Sequence, residues 1–329
     1  MAEVFENAII NDMLALVSLE DSVERVRLGM ENRSKRLSGR VGETLAGYVG
    51  RPGKMLRARF CLLLAKALGV DEKKAEAASR AMEFVHNASL LHDDCVDKAD
   101  TRRGLSTPNA LFGNTVALLL GDLAFSQGLE EAIDISPRAP EHLVATVREM
   151  AAGELQEEFL KGSAEVSVEA YLGIASRKTG ALFEWCGKVL SEISPFPHEA
   201  ADPPRLALSA GILLQIVDDI HDFLLTEEVS GKPAAQDLMN RRLTLPCILA
   251  LQNPKTRGNF LDLWRRGETD SNAVKQAIFF VKAEGFLDEA RTKGREIVDS
   301  MKTLCQGLPL KNEAKELSFF IEVMAKREF

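Results

Sequence analysis

Glu83-Phe84-Val85-His86-Asn87-Ala88-Ser89-Leu90-Leu91-His92-Asp93-Asp94-Cys95-Val96-Asp97 holds no glycine or proline. Its apolar residues recur at spacings of three and four, the pattern of a helix with one side in a core. Three aspartates close it. Residues four apart share a helix face, so Asp93 and Asp97 project together with Asp94 beside them. Such crowded acids repel, and acids emerging from an apolar helix are costly unless paired or metal-bound. Some 125 residues further on, Asp218-Asp219-Ile220-His221-Asp222 repeats the arrangement after Gly211-Ile212-Leu213-Leu214. Clustered carboxylates without paired cysteine or histidine suit a hard cation, chiefly Mg²⁺, which bridges protein carboxylate to substrate phosphate. One such cluster is commonly a solvated helix face. Two, each ending an apolar helix, imply a diphosphate clamped between them.

Working outward, the same periodicity predicts helices over Ala75–Val96, Asn114–Ile133, Glu141–Lys161, Val168–Glu192, Arg205–Leu225 and Leu245–Leu251. Several shorter amphipathic helices are expected between Thr256 and Arg327. Arg51-Pro52-Gly53, Gly104 with Pro108, Pro137 with Pro140, Pro195 to Pro204 and Gly231-Lys232-Pro233 break the pattern. None is a long linker, so one all-α domain over 1–329 is expected. Hydrophobic residues make up 46% and charged residues 27%, as in soluble globular proteins. The net charge of −8 and the lack of a basic stripe argue against nucleic acid. Five scattered cysteines, with no C-x-x-C pair, argue against a disulfide framework or zinc site. The N-terminus lacks the basic start and apolar run of a signal peptide, and no segment reaches the ~18 apolar residues of a membrane span. A cytoplasmic protein is expected.

Basic residues flank the acids. Lys54 and Arg57 follow the Pro52-Gly53 break, and Arg102-Arg103-Gly104 follows the first cluster. Arg177-Lys178-Thr179, Lys232 and Arg241-Arg242 come later. Such side chains hold diphosphate oxygens by charge-assisted hydrogen bonds, although surface ion pairing would explain any one of them singly.

The stretch from Glu83 to Asp97, with Thr101-Arg102-Arg103-Gly104, resembles the first aspartate-rich motif of the trans-polyprenyl diphosphate synthases. Asn109 to Asn114 with Gly121-Asp122-Leu123 resembles the segment that follows in long-chain, octaprenyl-type members. Gly153-Glu154-Leu155-Gln156, Lys178-Thr179-Gly180-Ala181-Leu182-Phe183, Leu214 to Asp222, Gly231-Lys232-Pro233, Asp237-Leu238 and Thr244-Leu245-Pro246 match further motifs in order. The resemblance covers roughly 50–250. It implies an isoprenoid-synthase helical bundle around a central cavity, a homodimer and a magnesium site. Asp93, Asp97 and Asp218 would be metal ligands, supported by Asp94, Asp219 and Asp222 directly or through water. Arg102, Lys178, Lys232 and Arg242 would hold an allylic diphosphate. Lys54, Arg57, His86 and Arg103 would hold isopentenyl diphosphate. Thr179 and Gln215 would line the path of a carbocation. The sequence departs from the family in three places: Ala235 near a frequent glycine, Arg242 at a usual lysine, and Ala58 at a common proline.

The chemistry implied is ionisation followed by alkylation, which needs no nucleophilic side chain. His92 is expected to make a structural hydrogen bond. In the family it resembles, bulky residues at the depth of Ala88, about 7.5 Å below Asp93 on the helix, form a floor that stops elongation, whereas Ala88 and Ser89 are both small. A long product is therefore expected, released with transient membrane contact. Phe125 is another candidate floor. A short-chain synthase, a class I terpene cyclase and a non-catalytic partner subunit are the alternatives.

Overall fold

The computed structural model describes residues 19–51, 53–102, 104–197, 201–224 and 236–326. Arg103 and Lys232, together with Ala235, lie outside the described residues. The chain is all-α: α1 Glu20–Ser34, α2 Gly39–Val49, α3 Leu56–Ala67, α4 Glu72–Val96, α5 Pro108–Phe112, α6 Asn114–Ile133, α7 Ala139–Leu160, α8 Val168–Ala175, α9 Ala181–Ile193, α10 Pro203–Leu224, α11 Gln236–Met239, α12 Leu245–Gln252, α13 Arg257–Arg266, α14 Ser271–Ala283, α15 Phe286–Gln306 and α16 Lys311–Lys326. A π-turn, Ser176–Gly180, joins α8 to α9. Among the described residues the strands are β1 Thr101–Arg102 and β2 Leu105–Ser106, a short antiparallel ribbon.

Local chemistry sets several of these boundaries. Asp71 caps α4 by accepting the Lys73 and Lys74 N–H groups at 3.1 and 3.3 Å. Ser167 caps α8 through the Ala170 N–H, and Asp270 caps α14 through that of Asn272. The expected helix over Asn114–Ile133 is α6 to the residue. The sequence reading passes over α1, a charged segment whose inner face is only Val23, Val26, Met30 and Ser34.

The chain packs as two compact units. The first draws on 19–147, Leu182–Ala207 and Lys302–Val323. Its core includes Phe60, Phe84, Phe183 and Trp185. Phe60 and Phe183 meet edge to face at 5.4 Å, and the Trp185 indole donates to the Ala139 carbonyl at 3.0 Å. The second unit draws on Arg148–Ala181, Leu208–Met301 and residues from Met324 on. Its core gathers Ile216, Ile220 and Phe223 of α10 with Ile248, Phe260, Trp264 and Val281. No helix of the described residues is long and apolar enough to cross a membrane.

Within the first unit, α4 and α6 run antiparallel in a fixed register. A methyl added at Gly121 would strike the His92 ring, and one at Gly128 would crowd Val85 and Ala81. Small residues on α6 thus admit the larger ones of α4. Glu131 of α6, 2% exposed, ties three helices by pairing with Arg33 of α1 and, at 2.9 Å, with Arg80 of α4. Breaking a buried ion pair leaves a charge without compensation. Glu131→Ala is expected to cost about 3 kcal/mol in urea unfolding. A loss below about 0.5 kcal/mol, the scale of an ordinary surface substitution, would show that this tie carries no weight.

Candidate active site

In the first unit, α4 ends in the aspartate turn. Asp97 is exposed, Asp93 half-buried and Asp94 fully buried. Asp94 Oδ1 accepts from Arg102 Nε at 2.7 Å and lies 2.6 Å from its Nη2. Burial works against the Arg102 charge, but Asp94 outweighs it and raises the guanidinium pKa. The Asn109 amide donates to the Asp94 and Ala99 carbonyls, pinning the start of α5 beneath the turn. Sequence reasoning assigned Arg102 without its tie to Asp94, a side-chain contact that spacing does not reveal.

Lys54 and Arg57 stand at the start of α3. Arg57 Nη1 lies 3.1 Å from His86 Nε2 of α4. A guanidinium only donates, so this ring nitrogen accepts and the imidazole proton sits on Nδ1. The Arg57 guanidinium also lies over the Phe183 ring, 5.9 Å from its centre. His92 turns to α6, its Nε2 lying 3.2 Å from the Leu118 carbonyl and 3.5 Å from Asp122.

Helical phase separates Ala88 from Ser89. At 3.6 residues per turn, Ala88 falls within about 60° of His92 and Val85, the residues that meet α6. It points roughly opposite to the Asp93–Asp97 direction. Ser89 lies one turn below Asp93 on its own side, with its hydroxyl on the His86 carbonyl at 2.9 Å. The small Ala88, 4% exposed, is thus a packing residue of the α4–α6 seam, and Ser89 is the small residue beneath the acids.

In the second unit, Lys178 and Thr179 sit in the π-turn. Gly153 of α7 allows this: a Cβ there would come 2.8 Å from the Lys178 nitrogen. Single π-turns inside α-helices recur at functional sites, and the expected uninterrupted helix over Val168–Glu192 is broken here. Lys178 Nζ lies 2.7 Å from Glu154 and 2.7 Å from Glu157. Burial opposes its charge, yet the Glu157 and Glu154 carboxylates prevail and raise its pKa. Arg242 approaches Glu154, Glu157 and Glu158 at 3.6–3.8 Å. Glu157 was not singled out from sequence, although its spacing from Glu154 puts both on one face of α7.

A hydrogen-bond chain runs from the π-turn to the second cluster. The Thr179 hydroxyl donates to Gln215 Oε1 at 2.9 Å, and Gln215 Nε2 donates to Asp219 Oδ1 at 2.9 Å. The Leu245 N–H donates to Asp219 Oδ2 at 3.0 Å. Burial, with the Asp237 charge, pushes Asp219 up to about 8 against the pull of these donors. Asp218 is exposed, and half-buried Asp222 accepts the Asp237 N–H at 3.2 Å.

Within each unit, the carboxylates are of a kind that fits a hard cation. Among the described residues no three acidic, histidine or cysteine side chains converge into a cage of their own. Mg²⁺ is commonly held by one or two carboxylates, with waters and phosphate oxygens filling the octahedron. Asp93 with Asp97, and the exposed Asp218, present such donors, while the Oδ2 of buried Asp94 has no hydrogen-bond partner.

The sequence profile of the polyprenyl synthetase family matches residues 40–281. The chain is 30% identical over 305 residues to heptaprenyl diphosphate synthase component 2 of Geobacillus stearothermophilus, covering 91% of this chain and 93% of that protein. The crystal structure of heptaprenyl diphosphate synthase from Staphylococcus aureus superposes with a TM-score of 0.86 at 25% identity, covering 94% of this chain and 99% of that one. That of geranylgeranyl pyrophosphate synthetase from Pyrococcus horikoshii gives 0.85 at 27%, covering 97% and 100%.

Gln215 links Thr179 to Asp219, so Gln215→Leu strands a buried carboxylate oxygen and a hydroxyl. A loss of about 2 kcal/mol is expected in denaturant unfolding, the scale of an unmet buried polar group. Unchanged stability would mean that the chain of bonds is not formed in solution.

Proposed function

Because the chain belongs to the polyprenyl synthetase family and is a prenyltransferase, we propose that it joins isopentenyl diphosphate head to tail to an allylic diphosphate. Repetition of that step gives a long all-trans polyprenyl diphosphate. The observation that carries this reading is the paired design of the acids: in each cluster the second aspartate is buried and bonded, while Asp97 and Asp218 are exposed and Asp93 and Asp222 half-buried. Such displayed carboxylates suit Mg²⁺, which when bound would neutralise charge on the leaving diphosphate. Asp93 and Asp97 of the first unit, supported by Asp94, and Asp218 of the second, supported by Asp219 and Asp222, are each assigned as ligands of such an ion.

The rest of the chemistry belongs to the chain itself. Arg102, Lys178, Lys232 and Arg242 are assigned the allylic diphosphate and stabilise its negative charge as the carbon–oxygen bond breaks, a preorganised electrostatic effect. Lys54, Arg57, His86 and Arg103 are assigned the diphosphate of isopentenyl diphosphate and aim its double bond at the allylic cation. Thr179 and Gln215 hold uncharged oxygens along the cation's path and offer it no basic nucleophile. The new cation then loses a proton, which the departed diphosphate accepts.

Small Ser89 on the aspartate side of α4 supports a long product, as does the heptaprenyl relative. Geranylgeranyl synthesis is the second reading, favoured by the Pyrococcus horikoshii structure at 27% identity. We also propose a homodimer. Leu111 and Phe112 of α5 and Val116 and Leu119 of α6 are 39–57% exposed on consecutive segments, an apolar surface that suits a partner. A cytoplasmic location, with transient membrane contact at product release, fits the helices described.

Purified protein given Mg²⁺, labelled isopentenyl diphosphate and a panel of allylic primers is expected to make products beyond twenty carbons, and none with EDTA. Products capped at twenty would select the second reading. Asp93→Ala and Asp218→Ala should each lower kcat by orders of magnitude with the fold intact, and near-normal turnover in either would remove its ligand role. Ser89→Phe should shorten the product. Ala88→Phe should chiefly lower the melting temperature, by wedging α4 from α6. An unchanged product from Ser89→Phe would overturn the phase argument.

A further inference from the structure

The turn that carries Lys54 and Arg57 is held in a conformation it would not adopt unaided. Met55, between them, lies in the left-handed region with φ 44°. A non-glycine residue persists there only where its surroundings fix it. Met55 is also the N-cap of α3, and no side chain at that position accepts from the first-turn N–H groups. Helix N-termini leave such donors unmet, and Ser, Thr, Asp or Asn usually supplies the acceptor. Here a distant residue does. Glu83 of α4, 5% exposed, accepts the Ala58 N–H at 3.0 Å. Its charge also suits the positive end of the α3 dipole.

A second brace grips the other side of Met55. Arg59 donates from Nε to the Lys54 carbonyl at 2.9 Å. Its Nη2 reaches both oxygens of Glu20, at 2.8 and 3.0 Å. One turn along α4 from Glu83, His86 meets Arg57. Both ends of the strained residue are therefore anchored through bonds to α1 and α4. The Glu83 bond exists only because residue 58 has an N–H. The family's common proline at this place has none, so a proline would lock the backbone through its ring instead.

We propose that Glu83, seconded by the Glu20–Arg59 pair, is a positioning residue that braces the Lys54–Arg57 turn and so sets the affinity for isopentenyl diphosphate. This rests on the assignment of that turn to isopentenyl diphosphate. Glu83 touches no substrate; it acts through the backbone of α3.

Steady-state kinetics of the full-length protein with both substrates varied tests this. Glu83→Met removes the acceptor at similar volume. It should raise KM for isopentenyl diphosphate about fivefold to tenfold, the scale of a lost N-cap, while KM for the allylic primer stays within about twofold. Glu83→Gln keeps an accepting oxygen and should retain most of the affinity. In an Ala58→Pro background, where there is no N–H to accept, Glu83→Met should have no further effect on KM. An unchanged KM in Glu83→Met, an equal rise for both substrates, or an undiminished effect in the proline background overturns the proposal. Should Glu83→Met not fold, Glu20→Ala at the exposed acid replaces it, with a rise of about twofold to threefold expected from loss of one ion pair, and an unchanged KM overturning the proposal. Lys54→Ala separates the two levels. If it leaves KM for isopentenyl diphosphate unchanged, the assignment of the turn fails. If it raises KM while Glu83→Met does not, the brace alone fails.

Discussion

The ion pair between fully buried Asp94 and Arg102, closed at 2.6–2.7 Å, governs the geometry of the first aspartate turn. Three carboxylates over one helical turn cannot all face water without repelling, and cannot all be buried without partners. Turning the middle one inward onto a guanidinium resolves both difficulties. It also fixes the helix phase, so that Asp93 and Asp97 share the outward direction. The second cluster solves the same problem with neutral donors: Asp219 is held by the Gln215 amide and the Leu245 N–H. Burial, with the Asp237 charge, lifts Asp219 to about 8. A cation held by Asp218 would favour the charged form of its neighbour.

The cations are treated in the converse way. Lys178 and Arg242 are not left as buried charges awaiting an anion; Glu154, Glu157 and Glu158 already face them. A lone buried lysine would tend to lose its proton, and these carboxylates keep it charged. Under the proposed assignment, an incoming anion would exchange with a carboxylate for these donors rather than meet a bare cation.

Much of the fold was legible because helical burial has a period. Asn114–Ile133 could be bounded from sequence since its small and apolar residues repeat without interruption. Segments held chiefly by polar ties left no such trace: α1 is fastened by Arg33 to Glu131 and by Glu20 to Arg59, and its composition is that of a solvated face. The acids and bases of the site were legible as motifs, whereas their counter-ions were not. Spacing puts Glu154 and Glu157 on one face of α7, but only the approach of the π-turn over Gly153 makes that face meet Lys178. Nor does glycine mark the π-turn, because Gly173 and Gly187 stand in its helical flanks just as Gly180 stands in the turn.

Product length turns on a smaller scale than fold. A heptaprenyl and a geranylgeranyl synthase match this chain with TM-scores of 0.86 and 0.85, so the bundle accommodates either outcome with the same backbone. What differs between such enzymes is therefore to be sought in side chains rather than in the fold. On α4 the α6-facing side is closed to change, because Gly121 and Gly128 leave no room for larger residues at the seam. The side shared with Asp93 and Asp97 lies away from that seam. Ser89 occupies that side one turn down, and its hydroxyl is bonded to its own helix at the His86 carbonyl rather than to a neighbouring one. A larger residue there would lose that one local hydrogen bond and leave the α4–α6 seam unaltered. On the proposed reading, Ser89 is thus the small residue of α4 at which product length could be altered with least disturbance to that seam.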